Sequence, residues 1–472
     1  MLDILLLNGI VITMQGEGTG VINRGAVGIK GDKIQCVGEA NEIQEKYKAL
    51  RTINADGKII MPGLIDSHTH SNMAITRGLA QDIELWLERG IGPYLNNWTK
   101  EDRIAGSKLH ILEEVKSGTT TIMDYDLDMV SIAKFYESSG IRARLANNIN
   151  EFPSAQHLLD LNKPYKFDRL KGEQLLAEGV ELMDKYGSSP EKRISALFGP
   201  QGVDMVSKDT FMEIKNLSRK YDAMISIHLS QAPFEVDQCK MRYGVSPVEW
   251  LEQNGMLNEK LIGAHMHYNT DEENKKCAMA GVKLVFCPNS IGLIDGMISP
   301  VNDYIDYGGI VAIGTDQATG NNNANLFSDM KMGAILGKIQ KQNPTCLPAW
   351  KVLRMCTIEA AEVLGMDSFV GSLEVGKKAD VILINTKTPG LTPVLCEPIR
   401  NVVPNLVYAG TGADVEMSII DGKIIMEDKK ILTMDEDEII DEAQNLAQEL
   451  VSRAYDELVD VDSDILRLMN YY

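Results

Sequence analysis

Residues 62–70 read Pro-Gly-Leu-Ile-Asp-Ser-His-Thr-His, an apolar run that ends in two histidines one residue apart. In a β-strand, residues i and i+2 point to the same face. His68 and His70 therefore offer two imidazoles side by side, half of a divalent metal site. The chain has 7 histidines in all, and two fall here. A pair of surface or hydrogen-bonding histidines is the competing reading. Further donors end other apolar runs. They are His228 in Ile227-His-Leu-Ser-Gln231, His265 in Ala264-His-Met-His267, and Asp316 in Gly314-Thr-Asp316. Three imidazoles and a carboxylate suit zinc or ferrous iron, with room left for water. Such an ion lowers the pKa of a bound water to about 7 and supplies hydroxide at neutral pH. The hydroxide can attack an sp² carbon that carries an amino or similar leaving group. The adduct then needs a nearby hydrogen-bond donor or acid.

The elements that must position these residues alternate regularly. Apolar runs at Ile59–His68, Thr119–Tyr125, Arg142–Ile149, Arg193–Gly199, Ala223–Leu229, Lys260–His267, Lys283–Pro288 and Ile310–Thr315 are separated by helical stretches. In one such stretch Ile104, Ile111, Leu112 and Val115 share a face. This pattern predicts an α/β fold, a (β/α)8 TIM barrel, whose strand C-termini carry the site. A doubly wound sheet competes, but it has no need of eight units. The first sixty residues read as short strands, Ile4–Leu7, Gly9–Met14, Gly25–Lys30 and Lys33–Val37, with Gly31-Asp32 as a two-residue hairpin loop. After a helix at about Pro348–Leu364, strands return near Gly371–Ile384 and Val415–Ile425. The expected organisation is 1–58 and 367–430 as two parts of a small β-sandwich, 59–366 as the barrel, and 431–472 as a helical tail. In that tail Ile439, Ala443, Leu446, Leu450 and Ala454 stand at helical spacing.

Composition narrows the function classes. The chain is 44% hydrophobic and 24% charged, an ordinary globular balance. A net charge of −20 makes nucleic acid a poor partner. No uncharged apolar run reaches membrane-spanning length. The opening Met1–Gly9 segment carries Asp3 and Asn8 and reads as a strand, not a signal peptide. The 7 cysteines are scattered, without a Cys-x-x-Cys, and read as reduced core thiols of a cytoplasmic protein.

At this point the sequence resembles the amidohydrolase superfamily, in the branch of methylthioadenosine/S-adenosylhomocysteine deaminases, guanine deaminases and triazine chlorohydrolases. The resemblance spans Met61–His70, Arg77–Asp82 with Leu85-Trp-Leu87, Ser117–Thr121, Phe198-Gly-Pro200, His228, Ala264-His265, Gly314–Asn322 with Leu326-Phe327 and Met330, and Gly371–Asp380. It implies that His68, His70, His228 and Asp316 bind one divalent ion, with zinc expected over iron. It implies that His265 polarises the attacking water or the oxyanion, and that Asp316 passes the water's proton to the leaving group. Binuclear members carry a bridging lysine at the end of strand four; here that end reads Gly199-Pro-Gln201, so a single ion is expected.

The chain also departs from the family. Deaminases of this branch carry a proton-shuttling Glu three residues after the strand-five histidine, and this chain has Gln231. Purine-deaminating members carry His where this chain has Gln201. An amide can orient a ring nitrogen but cannot deliver a proton to it. Glu235, one helical turn beyond Gln231, could supply the carboxylate, or could be a solvated helix residue. Trp86 corresponds to a pocket residue in relatives, with a core aromatic as the alternative. Asn321, Asn322 and Asn323 are expected at the rim. His267 is expected outside the metal shell or at the surface and Cys287 as a packing thiol; His110, within the Ile104–Val115 helix, and His157, in a connection, have no partner in the sequence.

The leading expectation is a metal-dependent deaminase of a small heterocyclic amine. One alternative keeps the ion and changes the leaving group to an amide, alkylamine or chloride. The other is a non-catalytic amidohydrolase-like scaffold. Relatives are often dimers, which leaves a homodimer open.

Overall fold

Eight parallel strands from the middle of the chain form a closed ring. They are Leu64–His70, Thr119–Asp126, Arg142–Ile149, Ile194–Pro200, Ile225–Leu229, Leu261–His265, Lys283–Phe286 and a divided eighth strand, Val311–Ile313 with Asp316–Gln317. The computed structural model describes residues 1–153 and 162–471. The first part of the eighth strand pairs with the seventh, through Leu284 and Val311. Its second part pairs with the first strand, Asp316 opposite Thr69 and Gln317 opposite His70, and so closes the barrel. Both faces of these strands are covered, which is why they read as continuous apolar runs and not as alternating ones. Ile65, Met123, Tyr125, Leu197, Ile262, Val285 and Ala312 pack together with Ala360, Ala361 and Val363 in one cluster. Fully burying such an aliphatic side chain stabilises by about 1.5–3 kcal/mol.

The run expected as one strand over Ile59–His68 is two strands. Lys58–Pro62 pairs antiparallel with Val381–Asn385 in a second sheet, and only Leu64–His70 belongs to the barrel. Gly63 lies between them. A Cβ there would stand 2.1 Å from the Thr120 side chain, so no larger residue fits where the chain passes from one sheet to the other. The helix expected over Pro348–Leu364 is likewise two, Ala349–Met355 and Ile358–Val363. Thr357 sits at the break and donates its hydroxyl to Leu353 O at 2.7 Å.

The chain's two ends share the second sheet of nine strands. Leu2–Ile12 is one long strand where two were expected; its register shifts around Asn8, which takes φ +70°. The Lys30–Lys33 hairpin turns at Gly31-Asp32 as expected. The edge strand Lys33–Glu39 meets the segment before Val381, with Ile34 N donating to Lys377 O and Gly376 N to Ile34 O, both at 2.9 Å. This contact folds the sheet over an apolar core that includes Leu6, Val27, Ile29, Ile60, Val381 and Met417.

The tail forms a helix, Glu436–Asp460, that buries Ile439, Ala443, Leu450, Ala454 and Leu458. It packs on helix Lys100–Lys116, with Lys108–Glu442 and Arg453–Asp102 ion pairs beside the seam. Leu450, Ala454 and Leu458 also share a cluster with Ile75, Ile91 and Tyr94, from the segment that follows the first barrel strand. The tail thus anchors a segment at the rim of the barrel. No helix among the described residues is long and apolar enough to cross a membrane.

Candidate active site

The strand ends bring His68, His70, His228, His265 and Asp316 together. The His68 ring centroid lies 5.0 Å from that of His70, 4.9 Å from that of His228 and 5.5 Å from that of His265. His70 and His228 stack at 5.1 Å. Asp316 Oδ1 is 3.8 Å from His68 Nε2 and 3.5 Å from His70 Nε2. All five residues are at most 9% exposed.

Backbone geometry aims these side chains. His265 takes φ +77° and Asp316 φ +59°, left-handed values that non-glycine residues adopt only where the surroundings enforce them. Asp66 supplies part of that enforcement. Its carboxylate accepts from His68 N and from both the backbone N and the hydroxyl of Thr315. It thereby fastens the first strand to the break in the eighth. Gly314 allows the close approach, because a Cβ there would meet His68 O at 2.7 Å. Thr69 donates to Asp316 O at 2.7 Å. Ser290 donates to Asp316 Oδ2 at 2.6 Å and leaves Oδ1 toward the histidines.

The protonation pattern fits a cation. His70 Nδ1 is 2.6 Å from Tyr125 O, and His228 Nδ1 is 3.0 Å from Gln201 O. A carbonyl can only accept, so both Nδ1 atoms carry protons and both Nε2 atoms present lone pairs. Those two lone-pair nitrogens stand 3.1 Å apart. Both ring nitrogens of His68 and of His265 are buried with no hydrogen-bond partner among the described residues. Acceptors facing each other without a donor are costly unless a positive ion lies among them. Burial, then the nearby His228, pushes His70 down to about 3; burial pushes His228 down to about 4. Neutral imidazole is the form that ligates a metal. Burial raises the Asp316 carboxyl to about 7, against the bond from Ser290. The ligand atoms of His68, His70 and Asp316 lie within 4.8 Å of one another, as do those of His68, His228 and His265.

Residues 59–425 match the Amidohydrolase family. The chain belongs to the amidohydrolase family. It is 35% identical over 455 residues to a 5′-deoxyadenosine deaminase of Methanosarcina mazei, covering 96% of this chain and 99% of the relative. It is 33% identical over 450 residues to a 5-methylthioadenosine/S-adenosylhomocysteine deaminase of Desulforudis audaxviator, covering 95% and 99%. Among solved structures, an adenosine deaminase from Xanthomonas campestris with bound zinc aligns with TM-score 0.87 at 28% identity, over 96% of this chain and 99% of that one. A zinc-complexed atrazine chlorohydrolase from Arthrobacter aurescens aligns with TM-score 0.81 at 22% identity, over 94% and 100%, and shares the fold.

Other residues of this amidohydrolase singled out in the sequence take varied positions. Gln201 holds His228 through its carbonyl, and its side-chain oxygen accepts from Asn148 at 2.6 Å. Gln231 is half-buried in the turn after the fifth strand. Glu235 is not a solvated helix residue: it is 4% exposed. Its carboxylate accepts from Ser230 N at 2.8 Å and Gln231 N at 2.7 Å, and so fastens the turn that carries Gln231. Burial, reinforced by the Asp204 charge, raises it to about 8. Trp86 is partly buried against the cluster that holds Ile75, Tyr94 and Leu450, and its indole N–H is buried without a partner among the described residues. His267 is buried just past the sixth strand, 3.7 Å from Asp295, with its ring 6.3 Å from His265. Asn321 is buried and donates to Thr315 O at 2.7 Å and Asp329 at 3.0 Å. His110 lies in a buried group with Thr69, at 3.0 Å, and Glu114, at 3.5 Å. His157 lies outside the described residues.

Asp66, Ser290 and Tyr125 also support the site, though none stood out in the sequence. Asp66 shares strand parity with His68 and His70, which was a usable signal. Tyr125 ends the second strand, with its ring 5.1 Å from His228 and its hydroxyl donating to Gly199 O at 2.7 Å. Ser290 had no signal, because its role depends on how the helix Pro288–Ile294 that follows the seventh strand is set against the eighth.

Proposed function

We propose that this amidohydrolase is a deaminase of a small heterocyclic amine and works with one divalent ion, zinc in preference to iron. His68, His70, His228 and Asp316 would hold the ion. Three neutral imidazole nitrogens and one carboxylate are a donor set that zinc favours. When bound there, such an ion would supply Lewis-acid chemistry that lowers the pKa of a water toward about 7. On this reading Asp316, steadied by Ser290, takes the attacking water's proton and hands it to the leaving nitrogen. His265 steadies the oxygen as it becomes negative. Gln231 orients the ring nitrogen through its amide. Burial of these groups excludes bulk water and strengthens each of these interactions.

The observation that carries the reading is the meeting of four buried imidazoles and one carboxylate, with lone pairs that find no donor. The relatives named for 5′-deoxyadenosine and 5-methylthioadenosine make nucleosides of that type the first substrates to test. Gln201 and Gln231 favour a second reading, in which a better leaving group or a more electrophilic carbon removes the need for an acid at the ring nitrogen. The experiment is ammonia release from 5′-deoxyadenosine, 5-methylthioadenosine, S-adenosylhomocysteine, guanine, pterins, pyrimidines and aminotriazines. Ammonia from one class supports the deaminase. Chloride or alkylamine release from triazines, without ammonia from any amine, supports the second reading.

A further inference from the structure

We propose that His265, Cys287 and Asp316 form a second cation site, weaker than the first, that captures soft divalent ions and stops the enzyme. A nitrogen of His265, Cys287 Sγ and a carboxylate oxygen of Asp316 all lie within 4.8 Å of one another. Cys287 directly follows the seventh strand, at the N-terminus of helix Pro288–Ile294, and shares a buried cluster with Ile65, Val285 and Ala312 from the barrel strands. Its thiol stands within reach of His265 and Asp316 at the strand ends. Two further observations point to a ligand. Both ring nitrogens of His265 are buried without a partner among the described residues, and His265 is 0% exposed. Asp316 belongs to both ligand groups, since it also stands with His68 and His70. Its Oδ1 faces those histidines, and its Oδ2 accepts from Ser290.

The chemistry of the set differs from that of the first site. Three imidazoles and a carboxylate hold zinc without sulfur. A thiolate beside an imidazole and a carboxylate favours softer ions, cadmium above zinc and both far above magnesium. Binding breaks the Cys287 S–H bond, forms a sulfur–metal bond and releases one proton to solvent. Occupancy would take His265 and Asp316 away from the oxyanion and the proton they are proposed to handle. The inhibition therefore rests on the deaminase reading, whereas the binding does not.

The test uses the full-length protein carrying one equivalent of zinc, titrated with Cd²⁺. Three quantities are followed: the ultraviolet charge-transfer absorption of a cadmium–thiolate bond, retained zinc, and ammonia release from the best substrate found. The expected result is one further equivalent of cadmium, a charge-transfer band, retained zinc and loss of activity. Cys287→Ala should keep the zinc and the uninhibited activity, lose the band of that equivalent, and raise the half-inhibitory Cd²⁺ concentration by at least ~10-fold. Cys287→Ser is the second variant should the alanine protein fail to fold, because a hydroxyl keeps the polar size and binds cadmium poorly. Mg²⁺ should not inhibit. The same band and inhibition in the Cys287 variants would overturn the proposal, and so would zinc released in step with cadmium bound, or no band in the unmodified protein. If no substrate yields ammonia, the deaminase reading fails while the band still decides the site.

Discussion

Gly314→Ala tests whether the seam between the first and eighth strands sets the geometry of the ligands. A Cβ at this position would stand 2.7 Å from His68 O, 2.9 Å from His68 N and 3.0 Å from His68 Cβ. Ordinary contact begins at 3.4 Å, so the strands must part by about 3.4 − 2.7 = 0.7 Å at the residue that carries a ligand. Gly314 has no positive φ, so backbone preference does not oppose the alanine. The whole effect therefore comes from displacement. Asp66 bonds both strands here, through His68 N and Thr315, and resists the parting. Overpacking of this kind costs about 1–3 kcal/mol of stability. A shift approaching 1 Å at a reacting group can cost about 100-fold in rate, and disturbed ligand support costs about 10–100-fold in metal affinity. The expected outcome is a folded protein with zinc affinity at least ~10-fold weaker and kcat lower by a comparable factor. Competition against a chelator gives the affinity, and zinc-saturated kinetics give kcat. Unchanged affinity and unchanged kcat in a folded Gly314→Ala protein would refute the reasoning.

Other substitutions separate the roles. His265→Ala should keep its metal yet lose at least ~100-fold in kcat, and loss of the ion instead would make His265 a ligand. Gln231→Glu should raise turnover of adenosine-type substrates by restoring an acid. Efficient turnover of adenosine, S-adenosylhomocysteine or guanine by the unmodified enzyme, above about 10⁴ M⁻¹s⁻¹ in kcat/KM, would show that Gln231 does not mark a changed substrate. Glu114 is fully buried, and burial raises its carboxyl from 4.5 to about 8. A carboxyl raised on folding contributes stability at low pH that is lost as pH rises through the folded value. Relative to Glu114→Gln, the unmodified protein should therefore lose up to ~1.4 kcal/mol per pH unit between about pH 4.5 and 8. A pH-independent difference in urea denaturation would contradict that assignment.

The barrel was legible because parallel strands covered on both faces leave continuous apolar runs, and four of the eight runs carry a metal-type donor, His68, His228, His265 or Asp316, at or beside their ends. The His68/His70 pair showed through strand parity alone. What the sequence hid were breaks set by tertiary contacts. Nothing local at Gly63 announces that Lys58–Pro62 leaves the barrel for the second sheet. The passage is forced by Thr120, fifty-seven positions along the chain. The split at Thr357 and the division of the eighth strand at Gly314-Thr315 have the same origin. The fate of Glu235 was equally hidden. Whether a carboxylate near a helix start faces a substrate or caps its own turn depends on the preceding backbone, and here Ser230 N and Gln231 N bind it. Residues that support ligands, such as Ser290, gain meaning only once loops from different strands are brought to one rim.

The dependence of the activity on a single ion is tested most directly by a metal titration of chelator-stripped protein, with ammonia release from 5′-deoxyadenosine and the other amines as the readout. Activity should be absent without metal and should rise linearly with added zinc up to one equivalent per chain. Full activity in the stripped protein, or a rise that continues to two equivalents, would contradict that dependence.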